Sequence, residues 1–211
     1  MHRLLMASDI DTVKIGRRYH HGDLRTALVE AAERLLAERG LEHFSLREVA
    51  RRAGVSPAAP KHHFRDTRTL LTAIAVRAFD DLSARLEASA QGCADDRTAH
   101  IRAQGSAYVR FALDERARFD LMWRTALLDC DDAELDRAGK QAFAVLDRLV
   151  RGADAPPFAQ GDPATAPSIA CWSIVHGFAR LALDGVFGSD EQALDHAAEA
   201  LLPLVLDRLL L

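Results

Sequence analysis

The sequence has few of the residues that mark secreted, metal-binding or catalytic proteins. Its three cysteines, Cys93, Cys130 and Cys171, show no Cys-x-x-Cys spacing, so neither a disulfide framework nor a zinc ribbon is predicted. The sequence also lacks a nucleophile motif, paired carboxylates at a catalytic spacing and a glycine-rich phosphate loop. The cysteines are therefore expected to be reduced and structural, and neither a cofactor nor a metal is predicted.

Long hydrophobic runs are missing too. The longest uncharged stretch, near Ser168–Ala179, is shorter than the ~20 residues that a membrane-spanning helix needs. The first residues do not have the layout of a signal peptide. We therefore expect a cytoplasmic protein without a membrane partner.

The charges are unevenly distributed along the chain. Residues 1–70 contain 13 Lys and Arg against 9 Asp and Glu, whereas the remaining residues contain 14 against 22. A basic segment on an acidic body is expected where one part of a protein meets phosphate. Residues 1–19 are assigned to a basic arm, and its Lys14–His21 stretch is either a disordered tail or a contact to the DNA backbone or minor groove.

The hydrophobic pattern predicts an all-α fold. Runs of alternating Val, Ile and Thr are missing, whereas apolar residues recur at spacings of three and four. We expect about nine helices, of which the first begins at Asp23 and ends before Gly40. The later predicted elements are a long fourth helix from about Arg68 to Ala90, helices near Ile101–Leu113, Arg118–Leu128 and Ala133–Val150, a proline-rich loop at Gly152–Pro167, and helices near Ser168–Phe187 and Glu191–Leu210.

Two short helices are predicted between the first and the fourth. Ser45 occupies an N-cap position, Glu48 completes a capping box, and Gly54 ends the second helix. Ser56 is a second N-cap, and Pro57 follows at the first position of a short third helix, where its missing N–H costs nothing. Two short helices joined by a glycine-containing turn are typical of a helix-turn-helix.

The stretch Phe44–Phe64, with the preceding helix and the following Leu70-Leu71, resembles the DNA-binding signature of the TetR family. The capped helix, the glycine turn, the second cap and the terminal aromatic residue all fall in register. The resemblance implies a helix-turn-helix domain at residues 20–80 and an effector-binding and dimerisation domain at residues 81–211. It also implies a homodimeric repressor that a small-molecule effector releases from double-stranded operator DNA.

The candidate DNA-binding residues follow from this geometry. Small residues let the backbone approach the duplex, polar side chains reach base edges, and serines and arginines near helix N-termini hold phosphates. The candidates are Ser45, Arg47, Ser56, Ala58, Ala59, Lys61, His62, His63 and Arg68.

Two of these candidates depart from the family pattern. Lys61 stands where the family usually has an aromatic residue, and it is expected to bind a phosphate or a guanine edge. Arg68 is expected to replace a lysine that the family carries near Thr67. His62 and His63 diverge by ~100° on a helix and are not expected to share a metal ion. Three further arginines are assigned to the solvated face: Arg51, Arg52 and Arg65.

The segment Cys171–Phe178, with Phe119–Arg124 upstream, resembles the Trp…His-Gly class of TetR C-terminal domains. The resemblance implies a dimer interface on the last two helices and an effector pocket among the middle helices. The last helix is apolar on a wide arc, which independently favours a dimer. The interface candidates are Ala170, Gly177, Leu194, Leu201 and Val205, and the pocket candidates are Tyr108, Phe111, Phe119, Met122, Trp123, Trp172 and His176.

Three alternatives stay open at this point. His176 and the aromatic pocket candidates are more typical of a packed core than of a ligand site. A DNA-binding activator or architectural protein without an effector would carry the same N-terminal motif. The third alternative is an enzyme that uses Cys171 or Cys130 together with His176.

Overall fold

The computed structural model describes residues 21–91, 96–159 and 161–208. The all-α prediction is confirmed, because these ranges contain helices and no strand. The predicted arm at residues 1–19 lies outside the described residues. The helices are α1 His21–Arg39, α2 Leu46–Arg52, α3 Thr67–Ser89, α4 Arg97–Asp114, α5 Arg116–Met122, α6 Ala133–Arg151, α7 Ala166–Leu183, α8 Glu191–His196 and α9 Leu202–Asp207.

Short segments of other helix types connect these elements. A π-helical segment joins α8 to α9, so the three form one continuous stretch. A helix with the length and hydrophobicity of a membrane span does not occur in the described part of the chain. The connecting segments are the 3-10 turns Ala59–His62, Thr125–Leu127 and Pro163–Thr165, and the π-helical Ala197–Leu201.

Aspartate side chains fix the beginnings of four helices. At the start of α3 the Asp66 carboxylate accepts a hydrogen bond from the Thr69 amide at 2.8 Å. Such a cap satisfies an amide that has no partner within the helix, and its charge lies at the positive end of the helix dipole. The four capping residues are Asp66, Asp96, Asp132 and Asp190.

Two hydrophobic cores share helix α3. The first half of α3 packs with α1 and α2, and the second half packs with the C-terminal helices. α3 therefore connects the two cores through one rigid element. Large buried residues are Leu28, Leu35, Phe64 and Leu70 in the first core and Phe111, Phe119, Phe178 and Leu202 in the second.

The predicted third helix was wrong in type, because this stretch forms a turn and the 3-10 segment Ala59–His62. Pro60 has no amide hydrogen and cannot donate to the Ser56 carbonyl four residues back, as an α-helix would require. The chain instead closes three-residue turns, with the Lys61 amide 3.1 Å from the Ala58 carbonyl. Ser56 does not cap the segment, which begins after Ala58 without a side-chain cap.

Three boundaries in the C-terminal half differ from the prediction, two of them at prolines. The loop predicted to end at Pro167 ends two residues earlier, because α7 begins at Ala166. Pro167 lies in the first turn of α7, where a proline is tolerated. The predicted helix near Arg118–Leu128 ends at Met122 and resumes as a 3-10 turn. The last predicted helix is interrupted by the π-helical segment just before Pro203, whose missing amide breaks the regular bonding ladder.

Candidate nucleic-acid interface and ligand cavity

Helix α2 and the 3-10 segment that follows it form the predicted helix-turn-helix. The Ser45 hydroxyl accepts a hydrogen bond from the Glu48 amide at 3.2 Å, which confirms the predicted N-cap. Gly54 has a φ of +69°, a left-handed conformation that favours glycine. The Val55 amide then donates to the Ala50 carbonyl at 3.0 Å. The glycine thus ends α2 and redirects the chain into the next segment.

The second half of the predicted capping box is replaced by ion pairs. The Glu48 carboxylate accepts a hydrogen bond from Arg51 Nε at 2.8 Å, and Arg52 Nε lies 3.4 Å from it. These hydrogen bonds, chiefly the one from Arg51, lower the pKa of Glu48 to about 2. Arg52 also pairs with Glu38 of α1 at 2.7 Å. Both arginines are therefore bound to carboxylates on this surface.

Other cationic side chains of the helix-turn-helix lack such partners. Arg47, Lys61 and His62 are exposed, and their side chains make no hydrogen bond or ion pair with another residue in the described ranges. Arg65, by contrast, pairs with Asp66 at 3.2 Å. The positive charges of Arg47 and Lys61 are thus available to an anionic partner.

Buried anchors hold the backbone beneath these exposed side chains. Pro60 is buried within the 3-10 segment. Phe64 is 1% exposed, and the guanidinium of Arg25 lies 5.3 Å from the centre of its ring. The anchors fix the segment against the first core. The other predicted contact residues are exposed or half-buried: Ser56, Ala58, Ala59 and His63.

Arg68, which was predicted to hold a phosphate, has partners in the C-terminal half. Its guanidinium donates to the carbonyls of Leu128 at 3.1 Å and Ala126 at 3.2 Å. One turn further along α3, the Thr72 hydroxyl accepts from the Asp129 amide at 2.9 Å. We call this group, Arg68 and Thr72 with the backbone of residues 126–129, the clasp. It ties the first turns of α3 to the chain that follows α5.

A cavity of about 800 Å³ lies among α3, α4, α6 and α7. Its volume falls within the ~300–1,000 Å³ of typical small-molecule sites. Four predicted pocket residues line it, whereas Phe111 and Phe119 are fully buried in the surrounding core and His176 is not part of its wall. The four are Tyr108, Met122, Trp123 and Trp172.

Much of the cavity wall was missed in the sequence. Its residues come from distant segments, and each of them alone is indistinguishable from a core residue. The helical periodicity assigns them to buried faces but does not indicate where the packing leaves space. Missed wall residues include Phe79, Leu86, Gln104, Gly139, Phe143, Phe158 and Leu206.

Two wall residues form a neutral hydrogen-bonded chain with His176. Trp172 Nε1 donates to the Tyr108 hydroxyl at 3.3 Å, and that hydroxyl lies 2.8 Å from Nδ1 of His176. Burial, with the charge of Arg180 adding to it, lowers the pKa of His176, and burial raises the pKa of Tyr108. The phenol therefore stays protonated and donates to the neutral imidazole.

Two buried polar atoms of the cavity wall lack a hydrogen-bond partner within the described ranges, Oε1 of Gln104 and Nε1 of Trp123. The charged wall residues are Asp136 and Lys140, which pair with each other at 2.7 Å. Their side chains are 56% and 63% exposed. The charged wall groups thus lie at the exposed side of the cavity, and two wall residues each carry a buried polar atom without a partner.

Cys93 lies outside the described residues, and of the two described thiols that of Cys171 shows no catalytic activation. Cys130 and Cys171 both line the cavity, but burial raises the pKa of the Cys171 thiol. A raised pKa keeps the group in its poorly nucleophilic protonated form. Nδ1 of His176 is already used by Tyr108. Cys171 thus has neither a lowered pKa nor a free Nδ1 of His176 as a base.

An apolar surface covers one side of α7 and the last helical stretch. Leu181 is 47% exposed and Leu204 is 62% exposed, and exposed apolar residues that form one patch are typical of an interaction site. Val205, one of the predicted interface residues, packs against the core of its own chain. The exposed or half-buried members of the surface are Ala170, Gly177, Leu181, Leu194, Leu201 and Leu204.

Comparison with known proteins identifies the family. The model for bacterial regulatory proteins of the tetR family matches residues 28–74, and the model for the tetracyclin repressor-like C-terminal domain matches residues 101–205. A protein of unknown function from Rhodococcus sp. RHA1 is 32% identical, with 91% of this chain and 98% of that chain covered and a TM-score of 0.73. The chain belongs to the TetR family, whose members are DNA-binding transcription regulators.

Two more distant structures share the fold. A bacterial regulatory protein of the tetR family from Rhodococcus RHA1 is 22% identical, with 88% of this chain and 96% of that chain covered and a TM-score of 0.65. The fatty acid degradation regulator FadR from Bacillus halodurans is 13% identical, with 89% and 97% covered and a TM-score of 0.63. At these identities the similarity concerns the fold alone.

Proposed function

We propose that this chain is a homodimeric repressor that binds operator DNA through its helix-turn-helix and leaves it when a small molecule fills the cavity. The family's DNA-binding role supports the first part. The clasp is the observation that carries the second part. Its backbone segment, residues 126–129, is continuous with the cavity-lining residues Thr125, Leu128 and Cys130.

The proposal gives the surface residues separate roles in DNA binding. Lys61 and His62 contact base edges, because they are exposed on the 3-10 segment and their side chains are available. Ala58 and Ala59 allow the backbone to approach the duplex. Arg47, with the hydroxyls of Ser45 and Ser56, holds phosphates and contributes affinity rather than sequence choice. In this proposal Arg68 serves the clasp instead of a phosphate.

The release mechanism follows from the position of the clasp. A ligand that presses on residues 125–130 moves the carbonyls and the amide to which Arg68 and Thr72 are bonded. α3 carries that displacement to the 3-10 segment, which ends five residues before it. In a dimer that reads half-sites about 34–36 Å apart, a shift of several ångströms spoils the register of one half-site.

The clasp is tested with a matched pair of hydroxyl deletions on α3. The hydroxyls of Thr72 and Ser83 each donate to the carbonyl four residues earlier at 2.9 Å, but only Thr72 also accepts from Asp129. We expect Thr72→Val to weaken operator binding several-fold, within the 5–150-fold range of allosteric coupling. Ser83→Ala should leave it unchanged. Equal affinities for the two folded variants would contradict the mechanism.

The operator itself comes from selecting genomic fragments bound by the purified chain, with its own promoter included. A reporter driven by that operator then gives the sign of regulation. Deletion of the gene should raise reporter expression. A fall in expression would favour the activator, which shares the same DNA contacts.

The homodimer is proposed from the apolar surface on α7 and the last helical stretch. Two-fold pairing would bury Leu201 and Leu204, which are 37% and 62% exposed. The double variant Leu201→Glu with Leu204→Glu should sediment as a monomer. The control Ala88→Glu changes an exposed residue of α3 and should stay dimeric. A dimeric double variant would place the contact elsewhere.

A further inference from the structure

We propose that the cavity takes an uncharged, ring-containing molecule that presents a hydrogen-bond acceptor to the indole N–H of Trp123 and a polar group to the carboxamide of Gln104. The proposal rests on the proposed function, in which this cavity is the effector site. It adds the chemical class of the effector.

The wall excludes a charged group from the interior. Asp136 and Lys140 are the charged residues among those that line the cavity, they neutralise each other at 2.7 Å, and both side chains are more than half exposed. A carboxylate or an ammonium group inside would lose its hydration without gaining a partner of opposite charge. Burying an unpaired charge is strongly unfavourable. The buried part of the ligand is therefore neutral.

The two tryptophans differ in a way that locates the acceptor. Trp172 already donates its indole N–H to Tyr108 at 3.3 Å, and Tyr108 in turn is bonded to His176. Trp123 Nε1 is buried and has no partner within the described ranges. A buried donor without a partner is costly, and a ligand acceptor removes that cost once the Trp123 ring rotates to bring Nε1, which is closed off from the cavity space, to the ligand. The free donor of the pair is thus the one on Trp123.

Gln104 supplies the second polar position. Its side chain is 6% exposed, lines the cavity, and its Oε1 has no partner among the residues described. A carboxamide both donates and accepts, so it suits a hydroxyl or an amide of the ligand. An entirely hydrocarbon ligand would leave both Gln104 and Trp123 unsatisfied.

Aromatic side chains shape the remaining wall. The ring centres of Trp123 and Trp172 are 5.4 Å apart, and those of Phe143 and Phe158 are 4.6 Å apart. Tilted aromatic pairs offer faces and edges that pack well against a further ring. Together with the volume of about 800 Å³, this favours a molecule of two or more fused rings over a thin unbranched chain.

The test uses four probes with one ring system: 9-fluorenone, fluorene, and a carboxylate and an aminomethyl cation of fluorenone. The protein has two tryptophans, and both line the cavity, so quenching of intrinsic fluorescence reports binding there. We expect 9-fluorenone to bind, and both charged derivatives to bind at least about tenfold more weakly. A charged derivative that binds as well as the ketone would overturn the proposal.

Two single-tryptophan variants test the role assigned to Trp123. The readout is the ratio of the fluorene Kd to the fluorenone Kd. Replacing Trp by Phe removes ring area and weakens binding of both probes, and the ratio cancels this shared loss. Trp123→Phe should lower this ratio about two- to tenfold, the worth of a neutral hydrogen bond. Trp172→Phe should leave the ratio unchanged. An unchanged ratio in Trp123→Phe, or a fall in Trp172→Phe alone, would refute the assignment.

The outcome is separable from that of the proposed function. The binding assay contains no DNA, so it tests the ligand class alone. If 9-fluorenone binds as expected but operator affinity does not respond to it, effector release fails and the ligand class stands. If operator DNA is released only by a charged compound, the ligand class fails and the release mechanism stands.

Discussion

The N-terminal and C-terminal halves of the molecule build their sites in opposite ways. In the N-terminal half the core is closely packed around residues such as Leu28, Leu35 and Phe64, each at most 1% exposed. The side chains that we propose contact DNA lie on the outside of that core. In the C-terminal half the proposed ligand site is the space that the core leaves unfilled. The first site thus depends on exposed polar side chains held by a rigid backbone. The second depends on a space that the side chains of the core do not fill.

This contrast predicts unequal costs for removing an aromatic ring from each half. Phe64→Ala should lower the free energy of unfolding by about 3–5 kcal/mol, because it opens a void in a filled core. Phe143→Ala should cost less than half as much, because Phe143 is half-buried and the space joins an existing cavity. Urea unfolding of both variants measures the difference. Equal losses would show that the cavity wall is packed as tightly as the first core.

The exposed side chains of the N-terminal half are expected to have two different roles, base reading and phosphate binding. Lys61→Ala should cost about 1–3 kcal/mol of discrimination between operator and random DNA, if Lys61 reads a base edge. Arg47→Ala should weaken binding to both DNAs alike and reduce the salt slope by about one unit. Fluorescence anisotropy at several salt concentrations measures both quantities. An equal loss on both DNAs for Lys61→Ala would assign Lys61 to the backbone.

The two serines of the helix-turn-helix provide a smaller test. Ser45 caps α2, so Ser45→Ala should lower the free energy of unfolding by about 0.5–2 kcal/mol. The Ser56 hydroxyl makes no hydrogen bond with any of the residues described, so Ser56→Ala should leave stability unchanged. Ser56→Ala should still weaken operator binding if this hydroxyl holds a phosphate. A loss of stability in Ser56→Ala would restore its predicted role as a cap.

The smallest expected effect concerns pH and the C-terminal half. Because burial lowers the pKa of His176 in the folded chain, the unfolded chain takes up a proton first as the pH falls below about 6.5. The stabilising contribution is complete above that value and decreases as the pH falls towards the folded pKa. Unfolding free energies at pH 7.5 and 5.5 should therefore differ more for the wild type than for His176→Gln. A larger difference in the variant would reverse the assigned sign.

The same contrast explains how far the sequence could predict the molecule. The start of α2 at Ser45 and the turn at Gly54 were predictable because capping and left-handed backbone depend on residues a few positions apart. The type of the third helix was not, because Ser56 and Pro57 favour a helix start, and the bond that Pro60 removes does not by itself tell an interrupted α-helix from a 3-10 segment. That second proline prevents the bond on which an α-helix depends.

The cavity could be predicted only in part. Trp123 and Trp172 were among the candidates because the resemblance to the C-terminal domain pointed to their segments. Gln104 and Phe158 were missed, since they belong to α4 and to the loop before α7, and nothing local distinguishes them. Empty space arises from how helices pack at long range, which periodicity does not record. The clasp was missed for the same reason, because Thr72 and Asp129 are 57 residues apart.

Two prolines within four residues also affect the entropy of DNA binding. Pro57 and Pro60 have their φ angles fixed by the ring, and Pro60 is buried against the first core. The segment that carries Lys61 and His62 therefore has little backbone freedom to lose in the proposed complex with DNA. Restricting a chain before it binds reduces the entropic cost of association. The prolines that prevent a regular helix thus leave more of the contact energy available as affinity.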